Sequence, residues 1–298
     1  MNSIPLVAPV IGAHVDWLSM TCNRPESVTG LFDWVKKRTS ELRREGNEPT
    51  RWSQHGYVGE RIGEVTFGVD RTSLLIKLSS DEARRHWRPL AQAATNISRL
   101  DLATTIRPGP DTGSLARDGY ETARRHSRDR GSHRGCSIVE DSKGGQTLYI
   151  GSRASENYGR LYDKGKESGE PEYAGAWRYE VEFKGKTALA KGKALLVAPD
   201  EARAVTGEVH RWFATRGVSP RFAAGSGSLD GPTGRRLAGD AAWLDWVTRC
   251  VQPRARKLRA RLTWLQIAEA ACGQVVDLVE LQELVATLSQ RLIDTGEG

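Results

Sequence analysis

The sequence predicts an α+β fold: duplicated strand-helix-strand-strand halves forming a mostly antiparallel sheet with helices on one face, plus a C-terminal helical region. Two observations carry this. Strand-like segments of alternating polarity follow each of two amphipathic helical patterns, and their short connections suit antiparallel pairing. V-D-W-L-S at Val15–Ser19 also lines up with L-D-L-A-T at Leu100–Thr104, and a similar order of elements follows each. An offset of 85 residues is long for a solenoid and marks a single duplication.

In the first half, His14–Thr21 reads as a strand. Asn23, Pro25 and Ser27 lead into a helix over about Val28–Arg44, with Leu31, Trp34, Val35 and Leu42 as its apolar stripe. Gly46, Asn47 and Pro49 break the chain. Strands follow at Tyr57–Ile62, Glu64–Val69 and Ser73–Leu78, then a helix over Asp81–Ala94 opened by Ser79 or Ser80. In the second half, Ser98–Ile106 is a strand and Ser114–Ser127 a helix, with a Pro/Gly turn between them. Strands follow at Cys136–Glu140, Thr147–Gly151, Tyr158–Lys164 and Trp177–Lys184, and a helix at Asp200–Arg216. Residues 1–220 thus read as one domain, with halves at about 13–95 and 98–220. Residues 221–240, rich in Gly and Ser, read as a linker or flexible loop. Residues 241–298 read as helical, a small module or a dimerisation element.

Hydrophobic residues make up 38% of the 298 and charged residues 27%, which predicts a folded, soluble core. No segment approaches the roughly eighteen consecutive apolar residues of a membrane span. The opening MNSIPLVAPVIGAH has no basic leader, so a cytoplasmic location is expected. Cys22, Cys136, Cys250 and Cys272 lie far apart with no C-x-x-C pair, which argues against a disulfide framework or zinc site. The net charge is +7, concentrated in two arginine clusters. One is Arg117, Arg124, Arg125, Arg128, Arg130 and Arg134; the other is Arg249, Arg254, Arg256, Lys257, Arg259 and Arg261. Planar guanidinium groups suit phosphate, although a solvated helix face has the same composition.

The chemistry is carried by strand parity. In W-R-Y-E-V-E-F-K (Trp177–Lys184), Trp177, Tyr179, Val181 and Phe183 point one way, and Arg178, Glu180, Glu182 and Lys184 the other. Glu180 and Glu182 then stand about 7 Å apart along the strand. Alone, this pattern also describes a solvent-facing strand. Asp101 with Arg99, and Tyr162 with Tyr158, Arg160 and Lys164, occupy the polar parity of their own strands. If these strands are neighbours, one face gathers three carboxylates, a tyrosine and several cations. Carboxylate oxygens favour a hard cation such as Mg2+ or Mn2+. A tyrosine becomes an oxygen nucleophile once its phenol, of ordinary pKa about 10, is deprotonated. Arg160 and Lys164 are expected to help lower that value.

The segment T-L-Y-I-G-S-R-A-S-E-N-Y-G-R-L-Y-D-K-G-K-E (Thr147–Glu167), followed by W-R-Y-E-V-E-F-K, resembles the trans-acting replication initiation factors of rolling-circle plasmids and filamentous phages. Relaxases of some conjugative elements are their relatives. R-L-D-L-A (Arg99–Ala103), V-D-W-L-S and W-L-D-W-V-T-R-C-V-Q-P (Trp243–Pro253) resemble the same family. Thr104 and Thr105 stand where the pattern often has a second acidic residue. The resemblance implies an enzyme that nicks and rejoins one DNA strand at an origin through a covalent phosphotyrosine. It implies Tyr162 as nucleophile, assisted by Arg160 and Lys164, and a metal on Asp101, Glu180 and Glu182. Arg153, Arg178, Lys184, Arg124, Arg125, Arg128, Arg130 and Arg134 are the residues expected on DNA. The expected partners are origin DNA, single-stranded or hairpin at the nick, with a host helicase, a second copy of the chain and no membrane.

Three other readings use the same residues. A relaxase would run the same chemistry on a mobile element. A metal nuclease would leave Tyr162 idle. A non-catalytic protein could bind duplex DNA over the sheet face, although unpaired carboxylates there would repel phosphate.

Overall fold

The computed structural model describes residues 7–129, 135–142 and 144–223. The first half contains β1 (Val10–Cys22), α1 (Pro25–Arg44), β2 (Thr50–Gln54), β3 (Tyr57–Ile62), β4 (Val65–Val69), β5 (Leu74–Ser79) and α2 (Ser80–Ala93). The second half contains β6 (Asn96–Ile106), α3 (Leu115–Asp129), β7 (Cys136–Glu140), β8 (Gln146–Ile150), β9 (Asn157–Asp163), α4 (Lys164–Ser168), β10 (Trp177–Lys184), α5 (Gly185–Leu196) and α6 (Glu201–Ala214).

All ten strands form one sheet in the order β2-β3-β4-β5-β1-β6-β10-β9-β8-β7. Every neighbouring pair is antiparallel. The order is a palindrome under the duplication. Each strand of the first half has its counterpart five strands later, and β1 and β6 lie side by side at the centre. The predicted duplication is therefore a pseudo-two-fold arrangement within one sheet.

Alternation then sorts the two faces. Leu100, Leu102, Tyr179, Val181, Phe183, Leu148 and Leu161 are buried with Trp87 and Leu90 of α2 and with Val205, Val209 and Phe213 of α6. Each such side chain contributes about 1.5–3 kcal/mol by leaving water. Tyr179 is 1% exposed and meets Phe213 and Phe222 edge-on, so it belongs to this core.

Gly159 sits between two polar-face residues of β9 and turns towards the helices. A Cβ there would run into the Trp212 ring of α6. The indole rests directly on the strand backbone and ties α6 to β9. Gly159→Val should therefore destabilise the fold by about 1–3 kcal/mol, the usual cost of overpacking. Chemical denaturation would measure this, and an unchanged midpoint would show that the indole does not hold the strand.

β2, α4 and α5 have no counterpart in the sequence reading. T-R-W-S-Q has one apolar residue and forms the outer edge of the sheet, so it carries no alternating pattern. Its turn to β3 is identifiable only from the backbone: His55 and Gly56 have φ of 51° and 85°, as a two-residue hairpin requires. The arginine cluster at 249–261, Cys250, Cys272, the predicted helical region at 241–298 and the linker beyond residue 223 lie outside the described residues. Among the described residues, no helix is long and apolar enough to cross a membrane.

Candidate active site

β10 lies between β6 and β9, so its polar side chains are flanked on both sides. Opposite residues in an antiparallel ladder project to the same face. Arg178 is opposite Tyr162 and Thr105, Glu180 opposite Arg160 and Ala103, and Glu182 opposite Tyr158 and Asp101. The face turned away from the core thus gathers Asp101, Glu180, Glu182, Tyr162, Arg160 and Arg178. β9 and β10 can present these groups because their other faces are held by the core.

Tyr162 is 8% exposed, and its hydroxyl donates to Glu180 Oε2 at 3.2 Å. Glu180 is 1% exposed and is also paired with Arg160. Burial raises the Glu180 pKa, with Arg160 opposing. Asp101, also 1% exposed, accepts from Arg99 Nε at 2.9 Å. Burial, with the charges of Glu180 and Glu182 beyond it, pushes Asp101 up to about 7 despite Arg99. Glu182 is held by Arg99 at 2.9 Å and Lys184 at 2.8 Å.

The phenol differs from the sequence expectation. Burial, then the charge of Glu180, pushes Tyr162 well above its ordinary value, and Arg178 is the cation that opposes them. Arg160 is committed to Glu180, with its guanidinium 5.9 Å from the Tyr162 ring. Lys164 is not on the strand. Asp163 accepts from the Lys166 amide and caps α4, so β9 ends before Lys164, whose Nζ lies 2.6 Å from Glu167.

Arg178 also departs from its expected role on DNA. It is 5% exposed and donates to Thr105 Oγ1 and Asp16 Oδ1, both at 3.0 Å. Asp16 was missed by sequence reasoning. It occupies a bulge in β1, where the register passes from Val15 opposite Leu102 to Trp17 opposite Asp101. Bulges re-aim side chains in this way. Burial works to raise the Asp16 pKa, but the His14 hydrogen bond and the Arg178 charge hold it below the usual carboxylate range. The signal was present in the sequence, since Asp16 aligns with Asp101 in the duplication. A carboxylate therefore reaches the Thr105 corner of the face from another strand.

The expected DNA contacts separate into two places. Arg153 is exposed, with its guanidinium 5.9 Å from the Tyr158 ring, and Lys184 donates to the Arg153 carbonyl. Tyr158 itself is stacked on Tyr149, with centroids 5.9 Å apart. Arg117, Arg124, Arg125 and Arg128 instead line a groove of about 560 Å3 between α3 and the β7–β8 edge. Ile138 in that groove pairs with Leu148, a core residue, so the groove lies on the helix side of the sheet. Arg130 and Arg134 lie outside the described residues.

Oxygen donors of this kind suit a hard divalent cation, and two buried carboxylates with raised pKa values favour a positive neighbour. In this structure Arg99 and Arg160 supply that charge. Among the described residues, no three His, Cys, Asp or Glu side chains are grouped so as to hold a metal ion.

A phenol, carboxylates and guanidinium groups on one face are the kinds of group that phosphoryl transfer uses. Residues 95–266, a span that includes β6, β9 and β10, match the family model described as replication initiation factor, and the chain belongs to that family. Among solved structures, a rolling circle replication initiator protein from Geobacillus stearothermophilus aligns with 67% of this chain and 85% of its own at 18% identity, with a TM-score of 0.46. No curated protein matches.

Proposed function

We propose that this chain initiates rolling-circle replication by nicking one DNA strand at an origin and later rejoining it. The observation that carries the reading is the Tyr162–Glu180 hydrogen bond on a face otherwise lined by paired charges. The Tyr162 oxygen attacks the phosphorus, and the bond from phosphorus to the leaving strand oxygen breaks. The phenol proton passes to Glu180, whose raised pKa suits a general base. The leaving oxygen takes up a proton from water and becomes a free hydroxyl. The phosphotyrosine keeps the ester, so the reverse attack by a strand hydroxyl rejoins DNA and frees the tyrosine. Arg178 steadies the phenolate, and Asp16 orients Arg178.

A divalent ion held by Asp101, Glu180 and Glu182 would offset charge on the phosphate oxygens. Room for it requires Arg99 and Arg160 to release their carboxylates, and incoming phosphate offers both a new partner. The reading extends to a cytoplasmic setting, with a host helicase opening DNA beyond the nick.

Incubation with supercoiled origin DNA and Mg2+ tests the proposal, with mass spectrometry locating the linked residue. A nick with DNA on Tyr162 supports it. A clean nick without protein indicates a nuclease, and intact DNA a non-catalytic binder.

The α3 groove supports a separate, sequence-independent hold on DNA. Replacing Arg124, Arg125 and Arg128 together with Gln should weaken duplex binding and reduce its salt slope by about 0.9 for each phosphate that is no longer neutralised. An unchanged slope would return these arginines to the solvated surface.

A further inference from the structure

The face turned away from the core continues beyond the carboxylates onto the first half, where its character changes. One cross-strand row runs from Arg99 through Ser19, Lys77 and Thr66 to Arg61. A second runs from Leu75 through Gly68 and Gly59 to Trp52. Between β2 and the bulge at Asp16, none of the strand positions paired on this face is acidic. No helix of the first half lies here, because the core occupies the opposite face.

Two aromatic–cation pairs stand on this surface. Trp52 is half-buried and lies across Gly68, where a Cβ would come 2.8 Å from its ring. Lys77 Nζ is 4.6 Å from the Trp52 ring centroid and donates to Gln54 Oε1. Among the described residues, no carboxylate pairs with Lys77. The Arg99 guanidinium is 4.4 Å from the Trp17 ring. Burial, then the charge of Arg99, lowers the Lys77 pKa.

We infer that this face is a single-strand platform: bases stack on Trp52 and Trp17 while Lys77, Arg61 and Arg99 hold the phosphates of the strand leading to the nick. The inference rests on the proposal above that the chain cleaves a DNA strand. Aromatic faces with neighbouring cations bind unpaired strands with little sequence preference, because every base has a π-face. A duplex keeps its bases stacked on one another and cannot use the rings. The platform is also continuous with the site. Trp17 is in register with Asp101, and Arg99 bridges Asp101 and Glu182. Trp52 lies over β4, three strand spacings from β6, or about 14 Å. An incoming phosphate at Arg99 would compete with the two carboxylates, so strand binding and release of the acidic site are coupled through one guanidinium.

Fluorescence anisotropy with a labelled 20-nucleotide thymidine strand tests the platform. Trp52→Ala should weaken binding of that strand about tenfold, in line with removal of one stacking ring. Its affinity for a 20-base-pair duplex should stay within about twofold. Lys77→Gln, which keeps the side-chain length, should lower the single-strand salt slope by about 0.7. If Trp52→Ala fails to melt cooperatively, the Lys77→Gln slope decides. Unchanged strand affinity and slope would overturn the proposal. So would equal losses for strand and duplex, or a change only in sedimentation, which would assign the face to a second copy. The thymidine strand contains no origin, so this test is independent of whether Tyr162 is the nucleophile.

Discussion

Tyr162→Phe should bind origin DNA with unchanged affinity, form no covalent adduct, and nick more slowly by roughly 10^4-fold or more, the scale seen when a nucleophile is removed. The substitution deletes one hydroxyl from a ring that is 8% exposed. It removes the 3.2 Å hydrogen bond to Glu180, but Glu180 keeps Arg160, so no carboxylate is left bare. Stability should therefore change by only about 1 kcal/mol. The readouts are gel shift for binding and denaturing electrophoresis for the adduct. An adduct on the Phe variant would end the assignment. Attention would then pass to Tyr158, on the same face but stacked on Tyr149 and opposite Glu182.

Glu180→Gln should reduce nicking by about 10^2–10^4-fold, the range for loss of a general base. The reason lies in the resting phenol. Burial and Glu180 itself hold Tyr162 well above its ordinary pKa, so tyrosinate is scarce until a base takes the proton during attack. The amide matches the carboxylate in shape but accepts no proton. It also leaves Arg160 without a counter-charge. That loss should cost about 1–3 kcal/mol, less than for a fully buried pair, because the Arg160 side chain remains 34% exposed. Single-turnover nicking measured well below the melting transition separates the two effects. Asp101→Asn is the informative comparison, since Asp101 pairs with Arg99 and does not contact the phenol. Equal losses in both variants would leave Glu180 the metal-holding role it shares with Asp101, or charge balance, and remove its role as base. A loss of less than about threefold in Glu180→Gln would remove it from the chemistry.

The helix-side position of the α3 arginines bears on how DNA meets the protein. The phenol and the α3 groove lie on opposite faces of one sheet and share the β7–β8 edge. DNA touching both must pass around that edge. Arg153, exposed beside Tyr158 on the Tyr162 side, lies along such a route. On the proposed reading, duplex at α3 and single strand over the Tyr162 face would then meet the same molecule without competing.

By itself the sequence determined which side chains could share a face. Alternation in W-R-Y-E-V-E-F-K, R-L-D-L-A and G-R-L-Y-D depends only on the two-residue period of a strand, so Glu180, Glu182, Asp101 and Tyr162 were legible there. The duplication was legible as well, because order and spacing of elements survive where identity fades. Only the tertiary structure decided which strands are neighbours, since pairing joins segments far apart in the chain. It set β10 between β6 and β9 and thereby brought Glu180 to the phenol. It brought in Asp16 through a bulge, which no period reveals, and ended β9 before Lys164 through the Asp163 cap. It also buried Arg178 and spent the charges of Arg99 and Arg160 on carboxylates. Local pattern sets the direction of a side chain, whereas burial and ion pairing depend on what the rest of the chain folds against it.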